Sequence, residues 1–94
     1  MIRVESNRMH VAGEVKLAYV AAMAEQGIDA LRKGVAIADF AETTAVDSSA
    51  IALVLEWTRE AQRLGHALRL ANVPESMKNL AKLYGIADFL TVES

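Results

Sequence analysis

Three times along this 94-residue chain a stretch with apolar residues at steps of three and four closes on a glycine, at Gly34, Gly65 and Gly85. That spacing puts the apolar side chains on one face of a helix, and a glycine just past the last turn supplies the stop. The first stretch runs from Leu17 to Lys33, with Leu17, Val20, Ala21, Ala24, Ile28 and Leu31 in step; the second from Ala50 to Leu64; the third from Glu75 to Tyr84. Pro74 precedes the third, where a helix start tolerates proline. Gly27 lies inside the first helix, where glycine costs about 1 kcal/mol relative to alanine. Between the helices come short apolar runs, Met9 to Ala12, Val35 to Phe40 and Ala67 to Ala71. They read as strands. Arg3 to Glu5 is placed to pair with the first, Gly13-Glu14-Val15 reads as the turn that follows it, and Val35 to Phe40 is the candidate central strand. Ile86 to Val92 is apolar enough to pack back as a short helix or strand. Parallel neighbours need helical crossovers, so this alternation predicts an α/β domain with a mixed, partly parallel sheet packed by helices. Residues 1–94 suffice for one core, not two.

Composition narrows the function. With 53% apolar and 23% charged residues the chain has the makeup of a globular protein rather than a disordered one. Ten Lys and Arg against twelve Asp and Glu, scattered rather than gathered in a stripe, disfavour nucleic acid as a partner. The absence of cysteine excludes disulfides, thiolate catalysis and cysteine-based metal sites. Arg3, Glu5 and Arg8 interrupt the N-terminal residues, no apolar run approaches the ~20 residues of a spanning helix, and a cytoplasmic protein is expected. Neither a phosphate-cradling Gly-x-x-x-x-Gly-Lys loop nor a Gly-x-Gly-x-x-Gly turn is present, so no cofactor or nucleotide pocket is expected. His10 and His66 lie in no metal-ligand or triad spacing and are read as incidental.

The segment with most to say is Asp47-Ser48-Ser49, at the start of the second helix. Helix starts leave backbone N–H groups unpaired and carry partial positive charge. One reading is a cap, with Ser48 or Asp47 accepting a hydrogen bond from an orphan N–H. The other is a hydroxyl displayed to a partner, where an added phosphate would be favoured by the helix dipole. A nucleophile is the weakest reading, because no general base accompanies the serine.

Val46-Asp47-Ser48-Ser49-Ala50-Ile51-Ala52, preceded by the strand from Val35 and by Gly13-Glu14-Val15, resembles a STAS domain. Within that family, Leu80-Ala81-Lys82-Leu83-Tyr84-Gly85-Ile86 and Gly13-Glu14-Val15 are most similar to the MlaB-like branch, the cytoplasmic STAS subunits of phospholipid-trafficking ABC transporters of the Mla type. The resemblance covers about Met9 to Leu90. It implies a non-catalytic subunit that binds the transporter's ATPase, supports its assembly and activity in maintaining lipid asymmetry, and sits peripheral to the inner membrane through that partner. The alternative it implies is an anti-sigma-factor antagonist, partnered by an anti-sigma factor kinase and switched by phosphorylation of Ser48. Ser48 takes the family's Ser/Thr position and Asp47 the acidic position before it; MlaB-like members often carry Thr where Ser48 stands. Ala50 stands where glycine is common, and its methyl is expected to limit how closely a partner backbone approaches.

The partner-binding set expected is therefore Asp47, Ser48, Ser49 and Ala50, with Trp57 and Arg59 from the second helix. Trp57 falls with Ala50, Leu53, Val54, Ala61 and Leu64 on the apolar side, so core packing is its first reading and a partner anchor its second. Glu56, Arg59, Glu60 and Arg63 share the other side, as a solvated face or as the polar rim of an ATPase interface. Leu83 and Tyr84 are expected to close the core against Ile86 and Phe89.

Overall fold

The computed structural model describes residues 1–93. A five-stranded sheet runs in the order β1-β2-β4-β6-β7, built from β1 (Ile2–Glu5), β2 (Arg8–Val11), β4 (Ile37–Asp39), β6 (Arg69–Ala71) and β7 (Thr91–Val92). β1 is antiparallel to β2, and the remaining neighbours are parallel. Each parallel step is made by a helix: α1 (Leu17–Arg32), α2 (Ser49–Arg63) and α3 (Glu75–Leu83), the last followed by a 3-10 turn, Ala87–Phe89. The expected α/β architecture and the central position of the Val35 to Phe40 strand both hold, and the tail supplies a helical turn and a strand together.

Two strands went unread in the sequence. Gly13–Val15 forms β3 rather than a turn, and Thr43–Val46 forms β5; they pair with each other in parallel as a separate two-stranded sheet. Both are short, and β5 follows Glu42 and opens with Thr43-Thr44, whose polarity hides a strand buried only in part. Gly13 makes the second sheet possible. Its φ of +84°, costly for a residue with a Cβ, bends the chain out of β2 at a register shift between Gly13 and Glu14.

The register sorts the main sheet into an apolar and a charged face. Met9, Ala38 and Leu70 lie side by side on one, with Val11 beside Ile2, and the helices cover them. Arg3, Glu5, Arg8, His10 and Asp39 lie on the other. There Asp39 is only 6% exposed, yet its carboxylate is well paired. It accepts from Arg8 Nη1 at 2.6 Å, from the Ala41 N–H at 2.9 Å and from Asn72 Nδ2 at 3.0 Å. Burial alone would raise its pKa; the hydrogen bonds from Asn72, Ala41 and Arg8 outweigh that and lower it.

The core centres on the α1–α2 contact. Trp57 is fully buried, with its indole lying over Gly27 of α1 and its Nε1 donating to the Ala24 carbonyl at 3.3 Å. An alanine Cβ at position 27 would sit 2.2 Å from the indole, so the glycine that weakens the helix locally is what lets the two helices close. α1 turns Met23, Gly27, Ala30 and Leu31 fully inward, while Leu17 is left 75% exposed. At the other end, Leu83, Tyr84 and Phe89 are exposed and do not close the core. Leu80, Ile86 and Leu90 pack against it instead.

Candidate functional site

The site is assembled by the small sheet. Pairing Val15 with Val46 carries the chain from β3 straight into α1 and from β5 straight into α2, so the two helices start side by side. Neither supplies a side-chain cap from its N-cap residue, Lys16 or Ser48. Asp47 serves both. Its Oδ1 accepts from the Ser49 N–H at 2.9 Å and from the Ser49 hydroxyl, and its Oδ2 accepts from the Leu17 N–H at 3.1 Å. One carboxylate thereby satisfies the first N–H of two helices, reaching thirty residues back along the chain to Leu17. The Ser49 hydroxyl, followed by the Leu17 and Ser49 N–H groups, holds its pKa below the usual carboxylate range, with Lys16 adding to the effect.

Ser48 is left without that duty. It lies exposed at the helix mouth with αR dihedrals of −63° and −19° and makes no capping bond. Of the two readings of this turn, the cap is Asp47 and the displayed hydroxyl is Ser48. Below it Ala52, Glu56, Arg59 and Arg63 follow at steps of four, four, three and four, all exposed, so a continuous stripe of α2 faces outward from Ser48. On α1, Leu17, Ala18 and Tyr19 are exposed beside the same turn. Their proximity to Ser48 follows from the Leu17–Asp47 bond, which no local sequence signal announces.

Two expected contact residues are withdrawn from the surface. Trp57 packs against Gly27, and its bulk contributes to the core rather than to a partner. Ala50 is fully buried as well, so its methyl points into the domain and sets no limit on a partner's approach. Ser49 is half-buried and occupied by Asp47, while Arg59 is exposed.

The charges of α2 divide in the same way. Glu60, whose side chain is 13% exposed, accepts from Arg63 at 2.6 Å and from Arg32 of α1 at 3.3 Å. Those bonds, Arg63 first, lower its pKa to about 2. Glu60 thus ties the end of α1 to α2. Among the described residues Glu56 and Arg59 form no ion pair and remain the free charges of the stripe. His10, read as incidental, lies on the charged sheet face, with Nε2 3.0 Å from Glu5 Oε1 and Nδ1 3.6 Å from Glu42 Oε2. Among the described residues no cluster of His, Asp and Glu suits a metal ion, and no helix is long and apolar enough to cross a membrane.

A family model described as Mlab, STAS domain, matches residues 2–92. The chain is similar in structure to the anti-sigma factor antagonist SpoIIAA in its unphosphorylated form, at a TM-score of 0.74 and 18% identity over 100% of this chain and 87% of that one. SpoIIAA in its phosphorylated form, described as a Bacillus cell fate determinant, matches at a TM-score of 0.69 and 18% identity, covering 100% of this chain and 90% of that one. A Thermotoga maritima protein provisionally assigned as an anti-sigma factor antagonist matches at 0.77 and 11% identity, covering 100% and 85%. At these identities the likeness is one of fold. No curated protein matches the chain.

Proposed function

The chain belongs to the MlaB family of STAS domains, and from that membership we propose that it is a non-catalytic subunit that docks onto the ATPase of a phospholipid-transporting ABC complex. The surface used is the Ser48 turn with the exposed stripe through Ala52, Glu56 and Arg59. One observation carries the reading: Asp47 takes over the capping of both helices, and the Ser48 hydroxyl stands exposed and uncommitted at an electropositive helix mouth. A hydroxyl so placed can donate to and accept from a partner without costing the fold a hydrogen bond. Through that partner the protein would lie at the cytoplasmic side of the inner membrane and support assembly and activity of the transporter.

The test is co-purification with the ATPase subunit of such a transporter. Ser48→Asp is expected to abolish it, because a charge is carried into a contact that excludes water, while Ser48→Ala weakens it and both variants melt as the parent does. Unchanged co-purification of Ser48→Asp would refute the interface. A second reading, an anti-sigma-factor antagonist switched by phosphate on Ser48, draws support from the same free hydroxyl and from likeness to a fold solved in phosphorylated and unphosphorylated forms. Incubation with a serine kinase followed by mass spectrometry separates the two. Stoichiometric phosphate on Ser48 that breaks binding to an anti-sigma factor selects the switch.

A further inference from the structure

At the β7 edge of the sheet, α3 does not close fully onto the strands beneath it. A cavity of about 150 Å³ remains, walled by Leu70, Val73, Met77, Ala81, Leu90 and Val92. Its remaining lining is Ala87 of the 3-10 turn and two lysines, Lys78 and Lys82, one turn apart on α3. The cavity is apolar and open to solvent on one side, and its volume suits a guest about as large as benzene, or roughly six carbons of an alkyl chain. The lysines mark one side of it with charge. Lys16 and Lys33 are paired with Glu14 and Asp29, but among the described residues neither Lys78 nor Lys82 has a carboxylate within ion-pairing distance. Their aliphatic stems line the cavity and their exposed residues reach solvent, so each ammonium is free for an anion at the mouth.

We propose that this cavity binds a medium-chain aliphatic carboxylate, its alkyl end against Leu70, Met77 and Leu90 and its carboxylate between Lys78 and Lys82. None of the lining residues belongs to the Ser48 turn or to the outward stripe of α2, so the site is separate from the proposed docking surface.

The probe is a series of butanoate, hexanoate and octanoate, each below its micelle concentration, titrated at fixed ionic strength into the ¹⁵N-labelled full chain and followed by amide shifts. Shifts are expected around Leu70, from Met77 to Lys82 and from Ala87 to Val92. Affinity should rise about fourfold per methylene as far as hexanoate and level off once the cavity is full. The Lys78→Gln, Lys82→Gln double variant should bind hexanoate about fivefold more weakly and hexanol unchanged. Ala87→Leu, which adds bulk from an exposed rim position, should weaken both guests without lowering the melting temperature. Absent or scattered shifts, hexylammonium binding as tightly as hexanoate, or an affinity untouched by all three substitutions would overturn the site.

Discussion

At Ser48 and Asp47, adjacent residues divide two jobs that a helix start usually gives to one. Ser48 makes no capping bond, so Ser48→Ala should change the urea midpoint by no more than about 0.5 kcal/mol equivalent. Asp47→Ala removes the acceptor for N–H groups at the heads of both α1 and α2. It should lower the melting temperature clearly, and Asp47→Asn, which keeps an oxygen acceptor, should lower it less. Equal stability of the Ser48→Ala and Asp47→Ala proteins would contradict the assignment of the cap. Asp47 therefore acts on Ser48 indirectly, by holding the turn that displays it. The sequence offers two candidate caps here, Asp47 and Ser48; Asp47 takes the role through the Ser49 N–H, and the position to which β3 brings Leu17 extends it to α1.

Between elements, the close approach of α1 and α2 rests on Gly27 under Trp57. In an exposed helix Gly→Ala stabilises by about 1 kcal/mol; here the sign should reverse. A Cβ 2.2 Å from the indole forces the helices apart, and Gly27→Ala should destabilise by about 1–3 kcal/mol in urea titration. Adding Trp57→Phe, which shrinks the ring, should recover part of the loss, and strictly additive effects would count against the contact. On the outward side of α2 the prediction concerns binding. Arg59 is exposed and unpaired, so Arg59→Glu should leave the melting temperature unchanged and weaken co-purification with the ATPase. Complex formation indifferent to that reversal would remove Arg59 from the docking stripe. The helices themselves were legible from their periodicity and terminal glycines, to within a residue or two at each end. The two strands of the small sheet were not, because three or four half-polar residues carry too short a pattern to show an alternation.

For the molecule as a whole, acid tests the arrangement of buried and shared carboxylates. Asp39, Asp47 and Glu60 all have pKa values below their ordinary values of 3.8, 3.8 and 4.5. A depressed carboxylate stabilises the fold fully above its unfolded pKa, and that contribution is lost as pH falls through the folded one. The urea midpoint should therefore be level above about pH 5 and should fall from 4.5 toward about 2, the pKa of Glu60 in the fold. Glu60→Gln should flatten part of that decline. A midpoint that rises on acidification over this range would show that the pairs at Arg8, Arg32 and Arg63 contribute nothing to the fold.

Local sequence was enough to determine the helices, the main strands, the α/β class and the presence of a capping turn at Asp47-Ser48-Ser49, because each depends on side chains within a few positions of one another. Where α2 and α1 meet was decided only in three dimensions. Whether Trp57 faced a partner or the core turned on a glycine thirty positions earlier in the chain, and whether Asp47 capped α1 as well as α2 turned on the backbone of Leu17 being brought beside it. Such contacts join residues that periodicity cannot relate, since they arise from the packing of whole elements and not from the spacing within any one of them.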